Sequence, residues 1–286
     1  MNLHYFLFLL TLLLFACTQN KSMKPLPKEN TAIKSQTNKS AFQTILDSAK
    51  VEGTIVIYDL QKNRYYSNNF DWADKGQLPA STFKIPNSII ALETGVVEND
   101  STLFKWDGQK RALKNWEQDL IFKDAFQFSC VPCYQDVARK IGEKRMLAYL
   151  DKLGFGQMEV DSTTIDNFWL TGTSRITPFQ QIDFLIRLYT SKLPISKRTE
   201  TILKRMLLME ATDTYKLSGK TGWSIQNKTN NGWFVGYVEK QGQLFFFATN
   251  INPKAAFNMD DFAAVRKEVT YEALLEMDID LFYQRY

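Results

Sequence analysis

Strand-forming runs cluster near both ends of this chain, with a long helix-patterned stretch between them, and that distribution narrows the folds open to it. Gly53–Asp59 reads Gly-Thr-Ile-Val-Ile-Tyr-Asp, a β-rich run. The polar break Gln61–Arg64 and the pair Tyr65-Tyr66 complete a hairpin signature. Strand character returns at Lys216–Gly222, Gly232–Glu239 and Leu244–Asn250. The last two flank the short turn Lys240-Gln241-Gly242, which predicts antiparallel neighbours. Residues 100–210 are mostly helix-patterned, with helices expected over Tyr134–Leu153, ended by Gly154, and over Pro178–Tyr189. Pro79–Glu93 predicts another helix, kinked near Pro86 and ended by Gly95. An amphipathic helix from about Phe262 to Glu276 closes the chain. This order predicts an α/β protein of the α+β type. An antiparallel sheet is built from both chain ends and flanked by terminal helices. A mainly helical region is inserted over about residues 95–205. Two such lobes meet in a cleft, and clefts at lobe junctions favour binding sites.

Composition decides which chemistry such a cleft can hold. With 286 residues, 44% of them hydrophobic, the chain can bury the core of one large domain. A net charge of +4, with acids and bases well mixed, argues against a nucleic-acid binder. The single histidine is His4. A protein that loses its first residues therefore has no Ser-His-Asp triad, no Cys-His dyad and no His-ligated zinc. Proton transfer then falls to Asp, Glu, Lys, Tyr, Cys or water.

The first residues carry an address. Residues 5–16 are almost wholly apolar, a run too short for a bilayer span but suited to a signal-peptide core. Leu14-Phe15-Ala16-Cys17 resembles a bacterial lipoprotein cleavage box. Residues 1–16 are expected to be a lipoprotein signal and Cys17 the lipidated residue. The alternative is an ordinary export signal or an uncleaved anchor. Residues 17–40, rich in Lys, Asn, Gln, Ser, Thr and Pro, are expected to be a flexible tether, and 41–286 the catalytic domain. The expected location is the periplasmic side of a Gram-negative envelope, with membrane contact only through Cys17. The sequence carries no signal for an oligomeric state.

Ser81-Thr82-Phe83-Lys84 is the feature that carries chemistry. Positions i and i+3 share one face of a helix, which puts Lys84 within reach of the Ser81 hydroxyl. A serine nucleophile needs a base. A solvated lysine is protonated and useless in that role, whereas burial among apolar groups yields the neutral amine. Two further motifs follow in the chain: Ser129-Cys130-Val131 at an expected helix start, and Lys220-Thr221-Gly222 with Trp223 on a candidate strand. Taken singly, Ser129 reads as a helix N-cap, Lys220 as a solvated edge charge, Trp169 as a core aromatic and Arg266 as a helix-surface charge. Ser-x-x-Lys, Ser-x-Val and Lys-Thr-Gly in this order form the pattern of penicillin-recognising serine enzymes.

Pro79–Gly95 resembles the active-site segment of class D (oxacillinase-type) serine β-lactamases. The resemblance continues through Ser129–Pro132, Phe168-Trp169-Leu170, Lys220–Trp223 and Trp233–Gly236, and covers the chain from about residue 45 onward. It implies the fold of the serine β-lactamases and penicillin-binding transpeptidases, a β-lactam as the small-molecule partner, and resistance as the outcome. Ser81 would be the acylated nucleophile, and Lys84, carboxylated by CO2, the general base. Ser129 would relay a proton. Lys220, Thr221, Gly222, Trp223 and Arg266 would bind substrate. Trp169 would support the carbamate, with Val131 and Leu170 as its apolar lining. The oxyanion hole would be the N–H groups of Ser81 and Trp223. No metal and no organic cofactor is implied. Three positions depart from the family pattern: Gln157 after Phe155-Gly156, Cys130, and Trp223, whose bulk is expected to narrow the binding edge.

Two other functions compete. One is a β-lactam sensor or transpeptidase of the same fold, acylated but not turned over. The other is a thiol–disulfide exchanger at Cys130-Val131-Pro132-Cys133. Helical-looking sequence on both sides of that motif favours two small apolar residues at a helix start, with Pro132 near N1. A disulfide within one helical turn is expected to be strained, and whether the thiols pair stays open.

Overall fold

The structure, a computed structural model, describes residues 34–281. The expected signal at 1–16, Cys17 and most of the expected tether lie outside the described residues. Nine strands are described: β1 (Ser35–Asn38), β2 (Val51–Asp59), β3 (Arg64–Ser67), β4 (Leu103–Phe104), β5 (Leu120–Ile121), β6 (Leu208–Ala211), β7 (Tyr215–Gln226), β8 (Thr229–Lys240) and β9 (Gln243–Pro253). Seven of them form one sheet in the order β1-β3-β2-β9-β8-β7-β6. All its pairings are antiparallel except that of β1 with β3. The β2–β9 pairing joins the two ends of the chain, with Ile55 opposite Thr249. Strands β4 and β5 form a small ladder of their own.

Both faces of the sheet are covered, and side-chain alternation assigns each residue to one of them. Trp233, Val235 and Tyr237 of β8, with Phe246 and Ala248 of β9, join the core under the helical region. Phe234 and Val238, with Phe245, Phe247 and Ile251, join a second core. That second core is closed by α1 (Ser40–Ser48) and by the C-terminal helix. Burial on both faces explains why these strands read as continuous apolar runs rather than polar alternation. The helical region runs through α2 (Phe70–Ala73), a 3-10 turn at Ala80–Phe83, α3 (Lys84–Glu93), α4 (Phe122–Gln127), α5 (Val131–Ile141), α6 (Glu143–Leu153), α7 (Pro178–Tyr189) and α8 (Lys197–Leu207); α9 (Phe262–Leu275) returns to the sheet.

Most sequence expectations match this architecture. The hairpin, the antiparallel C-terminal strands and the bounds of α7 stand where they were expected. Helix α7 carries a capping box, with Thr177 and Gln180 satisfying each other's backbone N–H groups, and Pro178 at N1. Three expectations need correction. The chain from Tyr134 to Leu153 is not one helix: Gly142, at φ 76° and ψ 157°, separates α5 from α6. Only glycine adopts that conformation without strain. The irregularity in Pro79–Glu93 falls at Phe83/Lys84 rather than at Pro86. Pro86 sits in the first turn of α3, where a missing N–H goes unnoticed. Finally, residues 35–38 of the expected tether form β1, whose polar residues suit an exposed sheet edge.

At Gly236 the neighbouring strand passes so close that an added Cβ would lie 2.1 Å from the Ser218 carbonyl oxygen. Backbone cannot yield there as a flexible side chain would. Gly236→Ala is expected to destabilise the fold by about 3 kcal/mol or more, read as a drop in denaturant midpoint. A change below about 0.5 kcal/mol would contradict so close an approach of β7 to β8.

Candidate active site

The Ser81 segment is held from several sides before any chemistry is considered. The Leu78 carbonyl accepts from Trp233 Nε1 at 2.8 Å and from Asn231 Nδ2 at 2.9 Å. The Ala80 N–H donates to the Trp169 carbonyl at 2.8 Å. Thr82 Oγ1 donates to the Pro79 carbonyl at 2.7 Å and accepts from Gln181 Nε2 at 2.7 Å. Ala80 is held at φ 50°, a left-handed conformation that a non-glycine residue keeps only when its surroundings impose it. The turn that follows is 3-10, so residues three apart nearly eclipse.

That local geometry brings Lys84 Nζ to 3.0 Å from Ser81 Oγ. Lys84 has no exposed surface and Ser81 is 6% exposed. Burial pulls the Lys84 amine from its ordinary 10.5 down to about 7. The face of the Tyr134 ring lies 5.1 Å from Nζ, and the Tyr134 hydroxyl meets Ser88 Oγ, which donates to the Lys84 carbonyl. Trp169 is wholly buried, stacked on Phe83 at 5.3 Å and edge-on to Phe168 at 5.1 Å. Its Nε1 is a buried donor with no partner among the described residues. Leu170 follows it, half-buried, and Val131 is the first residue of α5, the helix packed on α3.

Across the cleft, β7 runs past the end of β6 alongside the Ser81 turn. A Cβ built on Gly222 would lie 3.3 Å from the Ser81 backbone nitrogen, so a side chain at 222 would crowd the nucleophile. Lys220 is 3% exposed rather than a solvated edge charge. Its Nζ donates to Ser129 Oγ and to the Thr221 carbonyl. Its amine is held well below the ordinary value, by burial first and then by the nearby Lys84 and Arg266 charges. Ser129 is not the N-cap. It precedes the cap at φ 55°, and Cys130 occupies that position, its Sγ accepting from the Cys133 N–H at 3.3 Å.

Thr221 and Trp223 pair with Phe234 and Gly232, on the sheet face that α9 covers. The Trp223 ring packs edge-on against Phe262 at 5.2 Å and donates from Nε1 to Asn230 Oδ1, so its bulk is taken up against α9. Arg266 is 7% exposed, not a surface charge. Its guanidinium donates to the Gly222, Phe262 and Ala263 carbonyls, and burial lowers it to about 10. Three of its five N–H donors are thereby used, leaving two for a ligand. Gln157 joins the fold through main-chain bonds to Arg175, while its side chain reaches exposed Glu159, so its extra methylene disturbs no buried contact. Cys130 and Cys133 form a disulfide with Cα atoms 5.4 Å apart, inside the usual range.

Ser81, Lys84, Ser129, Lys220, Gly222 and Arg266 are thus linked by direct bonds or close approach. Sequence reasoning missed Asn231, Gln181, Ser88 and Tyr134, which hold the machinery without touching the Ser81 hydroxyl. Trp233 was noticed as part of a motif, but its hold on Leu78 was not.

Comparison with known proteins gives a consistent picture. Residues 32–274 match the family model for the penicillin binding protein transpeptidase domain. The chain is 42% identical to Beta-lactamase OXA-10 of Pseudomonas aeruginosa, over 76% of this chain and 82% of that one. It is 40% identical to Beta-lactamase OXA-48 of Klebsiella pneumoniae, over 82% of this chain and 88% of that one. Among solved structures, the class D β-lactamase YbXI from Nostoc superposes with a TM-score of 0.79 at 42% identity, covering 83% of this chain and 98% of that one.

Burial of Lys84 also makes a stability prediction. Between about pH 7 and 10.5 the unfolded chain holds a proton on this lysine that the folded protein does not. Its contribution to stability therefore rises with pH across that window and is flat below it. Replacing Lys84 with Met removes this contribution. The variant's melting-temperature advantage over the parent, in bicarbonate-free buffer, is expected to be largest near pH 6 and to shrink toward pH 10. An advantage independent of pH would contradict a buried neutral amine.

Proposed function

This chain belongs to the class D β-lactamases, and from that premise we propose how its residues hydrolyse β-lactam antibiotics through an acylated serine. The observation that carries the reading is the 3.0 Å approach of a buried lysine amine to the Ser81 hydroxyl. Ser81 Oγ attacks the β-lactam carbonyl, and its proton passes to the Lys84 side chain. Backbone N–H groups of Ser81 and Trp223 receive the developing oxyanion. The ring C–N bond breaks, and Ser129, bonded to Lys220, delivers a proton to the leaving nitrogen. Water activated at Lys84 then attacks the Ser81 ester and frees the opened product. Lys220, Thr221 and the free donors of Arg266 hold the substrate carboxylate, with Gly222 leaving room beside Ser81.

The site fits carboxylation of Lys84 by CO2. The reaction needs a neutral amine, and burial supplies it. The added group needs a donor in an apolar pocket, and the unpartnered Trp169 Nε1 is one. When present, the carbamate supplies an anionic oxygen base to both half-reactions. Val131 and Leu170 would restrict water near it. Among the described residues no cluster of ligating side chains is arranged to hold a metal. We also propose that residues 1–16 direct export, that Cys17 is lipidated on the periplasmic side of the envelope, and that the catalytic domain begins with β1, ahead of the expected boundary at residue 41. Among the described residues no helix is long and apolar enough to cross a membrane.

Turnover of a chromogenic cephalosporin tests this reading. Many turnovers per site are expected; one stoichiometric burst followed by silence would move the protein to the sensor class. Lys84→Ala is expected to lower kcat/KM by about 10³-fold. Trp169→Phe keeps the ring and loses the N–H. It is expected to lower kcat by about 10-fold or more, with partial recovery in added bicarbonate. Full activity of Trp169→Phe in degassed, bicarbonate-free buffer would rule the carbamate out of the mechanism.

A further inference from the structure

The Cys130–Cys133 disulfide has no role in the reaction above, yet it sits between two residues of the cleft. Ser129, which meets Lys220, immediately precedes it; Val131, at the mouth of α5, lies inside its loop. The turn it closes is an unusual one. Ser129 is held at φ 55°, with its N–H on the Phe126 carbonyl, and the Cys130 N–H is on the Ala125 carbonyl. The bridge therefore joins the end of that turn covalently to the first turn of α5, a helix of 11 residues that also carries Tyr134 beneath Lys84. Loop-closure stabilisation grows with loop length, and this loop spans a sequence separation of only 3. Its main effect is thus local, on where Ser129 and Val131 point.

The two sulfurs differ in access and chemistry. Cys130 is 1% exposed, whereas Cys133 is half-buried. Both border an open groove lined also by Leu103, Trp106, Trp116 and Arg139. Cys130 Sγ accepts the Cys133 N–H at the start of α5, a setting that stabilises a thiolate. Attack at the reachable sulfur would therefore expel the better leaving group.

Building on the hydrolase reading, we propose that the Cys130–Cys133 disulfide is a positioning clamp for Ser129 and Val131, released by a dithiol reductant that enters at Cys133. A thiolate of the dithiol attacks Cys133 Sγ, the S–S bond breaks, and Cys130 leaves as the thiolate and takes up a proton. The second thiol of the reductant then attacks the mixed disulfide. Two electrons and two protons pass to the protein, and the reductant leaves as a disulfide. Release lets the Ser129 turn relax, so proton delivery and water control lose precision while substrate binding through Arg266 does not change.

The test compares oxidised protein, protein reduced with dithiothreitol, and the Cys133→Ala variant, in steady-state turnover of a chromogenic cephalosporin. Reduction, verified by titration of two new thiols, is expected to lower kcat about three- to tenfold with little change in KM, because small misplacements of catalytic groups are costly. Reoxidation should restore kcat. Cys133→Ala should match the reduced protein and ignore dithiothreitol. Verified reduction that leaves kcat unchanged would overturn the proposal, as would loss of kcat and secondary structure together that reoxidation fails to restore. Failure of the oxidised protein to turn over at all would instead overturn the hydrolase reading.

Discussion

A lysine amine placed where water cannot reach it is the constraint on which the rest of the site depends. Lys84 is wholly buried, its Nζ meets the Ser81 hydroxyl at 3.0 Å, and burial alone draws its pKa to about 7. A charged ammonium without a counter-ion is disfavoured there, and the neutral amine is what a serine nucleophile needs in a protein whose described residues contain no histidine. The same burial that makes the fold less stable at low pH makes the site chemically useful, a common trade where function is built on local strain.

Both lobes are needed to hold that arrangement. The helical side supplies α3, the Tyr134 ring and the Trp169 wall; the sheet supplies β7 and the Trp233 and Asn231 donors that fix Leu78. Lys220 crosses between them to Ser129, and Arg266 reaches from α9 to the Gly222 carbonyl under the same strand. Three basic side chains therefore line one cleft, and the nearness of Lys84 and Arg266 adds to burial in lowering the Lys220 amine. An anionic substrate entering this space meets the Arg266 guanidinium, still charged at neutral pH, in a low-dielectric setting, where its carboxylate is bound more strongly than in water.

How much of this could be read beforehand depended on whether the signal was local. Apolar strand-forming runs and the short turn between them located β8 and β9, and helical periodicity from Pro178 located α7. The Ser81–Lys84 pairing was legible because it spans one helical turn. The break at Gly142 was misread because an apolar pattern continues through it, and glycine within a helix is often tolerated. Strand β1 was hidden because its four residues are polar and its partner β3 lies about thirty residues on. Arg266 resembled a surface charge because nothing in α9 itself reveals that β7 passes above it. The pairing of Cys130 with Cys133 stayed open because it depends on the turn before α5, whose left-handed Ser129 no residue type announces.

The central claim is best tested by measuring the ionisation of Lys84 itself. Protein with 13C-labelled lysine side chains, titrated by NMR in bicarbonate-free buffer, should show a resonance that changes near pH 7 and is missing from Lys84→Met. A Lys84 resonance that titrates near the ordinary lysine value of 10.5 would contradict a buried neutral amine as the base of this site.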